Sequence, residues 1–211
     1  MTESIGILNI GTGNFKSLAN AITYIGNYSL VISSDISELD LCDRLYLPGV
    51  GSFAAASQSG KLPEIADLIQ QFAKSSRPIL GICLGMQLFF CSSSEGGNHR
   101  GLQIVEGDVS HFYEHPDYSE DSNMIVPHVG FSTVEQLKPS ALFAGIPNSS
   151  LFYFTHSYYA PPSSSAALGH TRYREFKFTS AINISNIYGV QFHPELSGES
   201  GLTLLKNFQN L

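Results

Sequence analysis

The first part of the chain alternates between short apolar runs and segments of helical periodicity, and this alternation constrains the fold more than any other feature. Turn residues close the apolar runs, which predict strands at Ser4–Ile10, Ser29–Ile32, Arg44–Leu47 and Pro78–Ile82. Apolar residues at helical spacing predict helices at Phe15–Ile25, from Pro63 onward, and at Leu84–Phe90. Because such alternation is typical of a parallel sheet covered on both faces, we predict a doubly wound α/β fold.

After Glu95 the helical pattern gives way to strands and turns. Strands are expected within Leu102–Tyr113, Asn123–Val134, Leu151–Tyr159, Phe176–Asn183 and Ile187–Phe192, with loops at Ser119–Asn123 and Ala160–Ala167 and a closing helix at Gly201–Phe208. The 211 residues contain no internal repeat and no low-complexity linker. We therefore expect residues 1–211 to form one domain, a mostly parallel central sheet with a small antiparallel extension.

Composition excludes several classes of function. Lys and Arg number 11 against 18 Asp and Glu, a net charge of −7, and no basic cluster offers a nucleic-acid surface. No apolar run approaches the ~18 residues of a membrane span, and Met1–Ile10 lacks the basic start of a signal peptide. Three cysteines, Cys42, Cys83 and Cys91, are too few for a disulfide framework, and no Cys-x-x-Cys pair suggests zinc. A cytoplasmic protein without metal or cofactor is expected.

The segment Gly81-Ile82-Cys83-Leu84-Gly85 carries the sharpest chemical signal. It has the Gly-x-nucleophile-x-Gly pattern of a nucleophile elbow, with Cys in the place of Ser, at a predicted strand-to-helix junction. A following helix favours the thiolate, and the amide of Leu84 can meet a developing oxyanion. The alternative is a buried structural cysteine, but the flanking glycines favour a nucleophile.

His193-Pro194-Glu195, just past a predicted strand, offers a proton partner for that thiol. A His and a carboxylate two residues apart can lie on the same side, so Glu195 could fix the tautomer of His193. A surface histidine in a proline turn and a metal-ligand pair are the alternatives. The sequence offers no further metal ligand at a set spacing.

Three other polar stretches are less informative taken alone. The glycines of Leu47–Phe53 allow a backbone N–H to turn toward a substrate oxygen, and Thr155–Tyr158 could hold a small polar ligand. Taken alone, the first stretch is better explained as an ordinary loop and the second as a strand end. Gly11–Asn14 resembles half of a dinucleotide fingerprint, but the third glycine is missing.

Taken together, GICLGMQ around Cys83, the PGVG loop at Pro48–Gly51 and QFHPE at Gln191–Glu195 resemble the class I, or triad, glutamine amidotransferases. PGVGSF, Pro127–Gly130, Thr155–Tyr158 and the tail GLTLLKNF are similar to the branch of that family that serves histidine biosynthesis. The resemblance spans nearly the whole chain and implies a flavodoxin-like core. It also implies a (β/α)₈ barrel cyclase as heterodimer partner, which receives the ammonia.

The resemblance assigns roles to individual residues. Cys83 would attack the side-chain amide of glutamine, His193 would transfer protons, and Glu195 would orient His193. The resemblance further implies an oxyanion and glutamine-binding set: Gly49, Val50, Gly51, Leu84, Gln87, Glu95, His156, Ser157 and Tyr158. Activity without the partner is expected to be very low.

Departures from the family pattern leave the partner's identity open. Asn9 and Ile10 stand where the family has Asp and Tyr, Phe131 and Ser132 where it has Trp and Asn, and Leu196 where it has Lys. A paralogous glutaminase that supplies another synthase, for example in surface-sugar amination, is therefore an alternative. A non-catalytic module and a stand-alone Cys–His hydrolase of γ-glutamyl bonds are two others.

Overall fold

The structure is a computed structural model that describes residues 3–9, 15–49, 51–116, 118–119 and 124–211. Its strands are β1 Ser4–Leu8, β2 Ser29–Ser33, β3 Arg44–Gly49, β4 Ile79–Cys83, β5 Ser92–Ser93, β6 His99–Arg100, β7 Asp108–His111, β8 His128–Gln136, β9 Ser150–His156, β10 Tyr158–Tyr159, β11 Ala167–Tyr173, β12 Phe176–Ile184 and β13 Ile187–Val190. Its α-helices are α1 Phe15–Ile25, α2 Ile36–Leu39, α3 Phe53–Gln58, α4 Leu62–Lys74, α5 Leu84–Gln87 and α6 Gly198–Gln209. Three short 3₁₀ helices are Phe112–Glu114, Ala141–Phe143 and Pro194–Leu196.

Nine of the strands form one sheet in the order β2-β1-β3-β4-β13-β12-β11-β8-β9. The first five are mutually parallel, and the remaining four continue the sheet in antiparallel fashion. The predicted α/β class is thereby confirmed, and the antiparallel extension holds four strands. The short strands β10, β7, β5 and β6 form a separate small sheet.

The longer helices form where apolar residues recur at helical spacing. On α4, Ile65, Leu68, Ile69 and Phe72 are buried, as the spacing predicts, and Pro63 lies in its first turn. Helix α1 has the predicted bounds, and α6 begins three residues earlier than predicted. Within the described ranges, no helix is long and apolar enough to cross a membrane.

The prediction of a helix over Leu84–Phe90 is wrong in length, because α5 ends at Gln87. After Gln87 the N–H groups of Phe89 and Phe90 donate to carbonyls three residues back, those of Met86 and Gln87, so the α-helical bonding ends there. The carbonyl oxygens of Leu88, Phe89 and Phe90 instead accept hydrogen bonds from the backbone N–H groups of the segment 102–105. All four residues of α5 are nevertheless buried, as its apolar sequence predicts.

The second half differs from expectation in one strand and several boundaries. The sequence pattern predicted no strand at β11, whose pairing with β12 is interrupted by register shifts on either side of Gly169. Within Leu102–Tyr113, where a strand was expected, only the short β7 forms. Most of the predicted loop Ser119–Asn123 lies outside the described residues. Ile10 and the Gly11–Asn14 segment lie outside them as well.

Candidate active site

Cys83 lies at the junction of β4 and α5, with φ of +54° and ψ of −111°. A positive φ is strained for a residue with a side chain, and such strain occurs at functional turns of this kind. The register pairs Cys83 with Gly49 at the carboxyl end of β3. The thiol therefore lies at the carboxyl ends of the parallel strands, where ligands bind in open α/β folds.

The glycines that flank Cys83 are required by close packing. A Cβ added to Gly85 would collide with the carbonyl oxygen of Leu47 on the neighbouring strand. A Cβ on Gly81 would lie 2.6 Å from the ring of Phe89 and 2.8 Å from the carbonyl of Gly85. These contacts explain the Gly-x-Cys-x-Gly spacing physically, since only glycine lets the turn pack against β3.

His193 and Glu195 lie in the turn that follows β13. The Nδ1 atom of His193 and the Oε1 atom of Glu195 are 2.9 Å apart, and the two side chains are only 4% and 5% exposed. In the described part of the chain, the buried Nε2 of His193 has no hydrogen-bond partner. His193 lines the same cavity as Cys83, so this nitrogen is available to exchange a proton with the sulfur or a ligand.

The surroundings of His193 favour its charged form. Burial alone lowers the pKa of His193, but interactions with the Cys83 thiol and the Glu195 carboxylate outweigh it and raise that pKa to about 10. His193 is therefore a proton donor at neutral pH when the thiol and the carboxylate lie beside it.

A cavity of about 320 Å³ brings the predicted site residues together. This volume is at the small end for ligand pockets and suits a small polar molecule. The cavity is lined by Gly49, Gly51, Cys83, Leu84, Gln87, Glu95, Pro127, Thr155, His156, Ser157, Tyr158 and His193. Of the predicted set, Glu195 lies behind His193 and does not line the cavity, and Val50 lies outside the described residues.

Two loops, which contain Gly51 and Glu95, contribute residues to the wall of the cavity. Gly51 has a φ of +118°, which a residue with a side chain rarely adopts. The backbone N–H of Phe53 donates to Oε2 of Glu95 at 2.5 Å, so that the loop after β3 is tied to the segment after β5.

Two buried glutamines form a hydrogen-bonded pair beside the thiol, and sequence reasoning assigned a role to only one of them. Nε2 of Gln191 lies 3.5 Å from Sγ of Cys83, and its Oε1 accepts a hydrogen bond of 2.9 Å from Nε2 of Gln87. Nε2 of Gln87 also donates to the carbonyl oxygen of Tyr158 at 3.0 Å. Gln191 is fully buried, and a polar residue inside the apolar run Ile187–Phe192 was the signal that could have identified it.

A second buried pair, His128 and His156, adjoins the cavity. Nδ1 of His128 lies 3.0 Å from Nε2 of His156, and Nδ1 of His156 lies 2.7 Å from the carbonyl oxygen of Tyr158. Both ring nitrogens of His156 are therefore occupied within the protein. His128 belongs to the Pro127–Gly130 motif, but the sequence pattern assigned it no chemistry.

Within the described ranges, no group of three or more His, Cys, Asp and Glu side chains is arranged to hold a metal ion. The site instead combines a strained cysteine, a buried His–Glu pair and a small polar cavity. This set of groups can perform nucleophilic attack with proton transfer.

The chain is similar to known proteins over nearly its whole length. The sequence model of the family "Glutamine amidotransferase class-I" matches residues 7–210. The chain is 40% identical to the imidazole glycerol phosphate synthase subunit HisH of Chlorobaculum tepidum, over 96% of this chain and 97% of that one. It is also 40% identical to the protein of that name from Pyrococcus furiosus, over 99% of this chain and 100% of that one.

Solved structures share the fold at low sequence identity. PurLQS from Thermotoga maritima matches with a TM-score of 0.69 at 16% identity, over 100% of this chain and 99% of that one. The glutaminase domain of CTPS from Trypanosoma brucei matches with a TM-score of 0.64 at 14% identity, over 99% of this chain and 94% of that one.

Proposed function

The chain belongs to the class I glutamine amidotransferases, and on that premise we propose that it is the glutaminase subunit of an imidazole glycerol phosphate synthase. In this role it hydrolyses glutamine to glutamate and supplies the ammonia for a step of histidine biosynthesis. The proposal is supported by relatives of that name that match nearly the full length of both chains. The matches from end to end also favour one amidotransferase domain over residues 1–211.

The observation that carries the proposed chemistry is the shared cavity of Cys83 and His193, with Glu195 paired behind the histidine. We assign the attack on the side-chain carbonyl carbon of glutamine to Sγ of Cys83. His193 then protonates the departing amide nitrogen, which leaves as ammonia, and the γ-glutamyl group remains on the sulfur as a thioester. Water activated by His193 hydrolyses the thioester, while Glu195 holds the imidazole through its 2.9 Å contact with Nδ1.

The remaining predicted residues are assigned to binding. We assign the binding of the oxyanion that forms during attack to backbone amides at Leu84 and at Gly49 and Gly51, which line the cavity together with Cys83. Because His156 uses both ring nitrogens internally, we assign recognition of the amino-acid end of glutamine to Ser157, Glu95 and the backbone beside them. None of these steps calls for a cofactor.

An apolar surface on β8 and β9 is the proposed docking site for the barrel cyclase. Val129, Phe131 and Leu151 are each more than half exposed on this surface, and Leu196 is 40% exposed in the turn after Glu195. Clusters of exposed apolar residues of this kind mark interaction surfaces. Phe131 and Leu196 are departures from the family pattern, so a partner with altered complementary residues is expected.

The test is glutamate release from glutamine, measured for the chain alone and with a histidine-pathway cyclase and its nucleotide ligand. The proposal predicts strong stimulation by cyclase and ligand together, and a loss of about 10³-fold or more in Cys83→Ser. High release without a partner would instead support a stand-alone hydrolase. Labelling of Cys83 by a glutamine analogue without stimulation by this cyclase would support the paralogue that serves another synthase.

We also propose that the protein is located in the cytoplasm. The three cysteines are free in the structure, and the proposed mechanism requires a reduced thiol at Cys83. A reducing compartment maintains that state.

A further inference from the structure

The carbonyl oxygen of Tyr158 joins two arms of buried hydrogen bonds. Nδ1 of His156 approaches it at 2.7 Å and Nε2 of Gln87 at 3.0 Å. A carbonyl oxygen can only accept, and two donors occupy its two lone pairs. The direction of every bond leading away from this atom is therefore determined.

The first arm runs through two histidines to Ser132. Because Nδ1 of His156 donates to the carbonyl, Nε2 of a neutral His156 must accept, and Nδ1 of His128 at 3.0 Å must donate to it. Nε2 of a neutral His128 then accepts from the hydroxyl of Ser132, which lies 2.9 Å away. Both histidines are thus required to carry their proton on Nδ1.

The second arm ends at the nucleophile. Nε2 of Gln87 donates to Oε1 of Gln191 at 2.9 Å as well as to Tyr158. With its oxygen engaged, Gln191 must present its amide N–H groups toward Sγ of Cys83, 3.5 Å away. An unbroken set of bonds therefore connects Ser132 on β8 with the sulfur.

These hydrogen bonds are buried, so a donor that faced another donor would raise the free energy of the folded state. His128 and His156 are 1% and 6% exposed, and the ring of His128 stacks on Tyr173 and Phe154 while that of His156 contacts Phe112 and Phe178. Unmatched donors in such a site would cost the desolvation of each group.

Both histidines remain neutral at physiological pH, as the directions require. Burial lowers the pKa of His128 to about 4, and burial with the nearby His128 lowers the pKa of His156 to about 3. His193 on the other side of the cavity also lowers the pKa of His156, and the hydrogen bond to the Tyr158 carbonyl opposes it. The phenol of Tyr173 is the other titratable group packed on His128.

We propose that His128, held by Ser132, is a positioning residue for the Cys83 nucleophile. It acts by fixing the tautomer of His156 and, through the Tyr158 carbonyl, the orientation of Gln87 and Gln191. This inference rests on the proposed function for its effect on glutamine turnover, but the hydrogen-bond directions can be tested without turnover.

Two substitutions of His128 separate donation from packing. His128→Asn keeps an N–H donor for His156, because its amide nitrogen can take the place of Nδ1, and it loses the stacked ring. His128→Phe keeps a ring against Tyr173 and loses the donor. We expect His128→Phe to lower kcat about tenfold relative to His128→Asn, the effect of roughly one lost hydrogen bond to a positioned group. A packing role predicts the reverse order, and His128→Phe turning over as fast as His128→Asn would overturn the proposal.

Nuclear magnetic resonance of ¹⁵N-labelled histidine in the wild-type protein tests the directions themselves. We expect His128 and His156 to show protonated Nδ1 and unprotonated Nε2 near neutral pH. A protonated Nε2 on His156 would overturn the proposal whether or not glutamine is the substrate. If glutamine is not turned over, the proposed function fails separately, and the rate of Cys83 alkylation by iodoacetamide replaces kcat, with the same order expected for the two variants.

Discussion

The backbone nitrogen of His193 donates a hydrogen bond of 2.8 Å to the carbonyl oxygen of Tyr153, which joins the proposed catalytic histidine to the edge strand β9. The ring of Tyr153 contacts that of Phe131 at 5.5 Å between centroids. In addition, the backbone N–H of Tyr153 donates to the hydroxyl of Ser197, which itself donates to the carbonyl of His193. A partner seated on Phe131 would therefore be linked to the turn that holds His193 through a single intervening residue, Tyr153.

The docking surface can be tested through Phe131. We expect Phe131→Ala to weaken cyclase binding about tenfold or more, because large aromatic side chains dominate interface energies. Isothermal titration calorimetry with the cyclase measures this change. Leu41→Ala, at an exposed apolar residue outside this surface, is the matched control and should bind like wild type. Equal loss of affinity in both variants would argue against the proposed docking surface.

The assignment of Cys83 predicts that only one of the three cysteines is required for turnover. Cys83→Ser should lower glutamate release about 10³-fold or more, since removal of a nucleophile eliminates its chemistry. Cys91→Ser, at a half-buried thiol that does not line the cavity, should retain release at the wild-type level. An assay of both variants with the cyclase present makes the comparison. Substantial release by Cys83→Ser would remove Cys83 from the mechanism.

Glu195 should control the charge of His193. Glu195→Gln removes a carboxylate that raises the pKa of His193, so we expect that pKa to fall, as measured by NMR titration. A raised pKa stabilises the folded state fully below the unfolded value of about 6.5, and this contribution is lost as the pH rises toward 10. The stability advantage of wild type over Glu195→Gln should therefore shrink across this interval, as followed by urea unfolding. A constant difference would contradict the assignment.

The glycine turn predicts a large loss of stability for a single methyl group. Gly85→Ala would place its Cβ against the backbone of Leu47, so we expect a cost of about 3 kcal/mol, the upper part of the range for overpacking. Gly145→Ala, where a Cβ meets no atom within 4 Å but φ is +72°, should cost only about 1 kcal/mol. Urea unfolding of both variants tests the difference. Similar costs would show that β3 and the turn yield more readily than their packing indicates.

Much of the fold was predictable because its signals are local. The helices α1 and α4 follow from apolar spacing alone, and the parallel strands are short apolar runs, several of them ended by turn residues. The early end of α5 was not predictable from its apolar sequence, since the residues after Gln87 leave the α-helical bonding pattern and their carbonyls pair with residues 102–105, distant in sequence. β11 was missed because its pairing with β12 is irregular near Gly169 and its sequence lacks a regular alternation.

The candidate site likewise combines residues that local sequence patterns identify with residues that depend on distant contacts. The Gly-x-Cys-x-Gly pattern and the His193–Glu195 spacing identify side chains whose local geometry sets their chemistry. Gln191 and His128 received no role because their importance comes from hydrogen bonds to residues far along the chain, Cys83 and His156. Only the assembled structure brings these donors and acceptors together.

The most direct test of the central claim is to trap the covalent intermediate during glutamine turnover. Acid quenching of the protein with its cyclase, nucleotide ligand and glutamine, followed by peptide mass spectrometry, locates any γ-glutamyl adduct. We predict one adduct, on Cys83, with Cys42 and Cys91 unmodified as internal controls. An adduct on another residue, or steady glutamate release that persists in Cys83→Ala, would contradict the proposed mechanism.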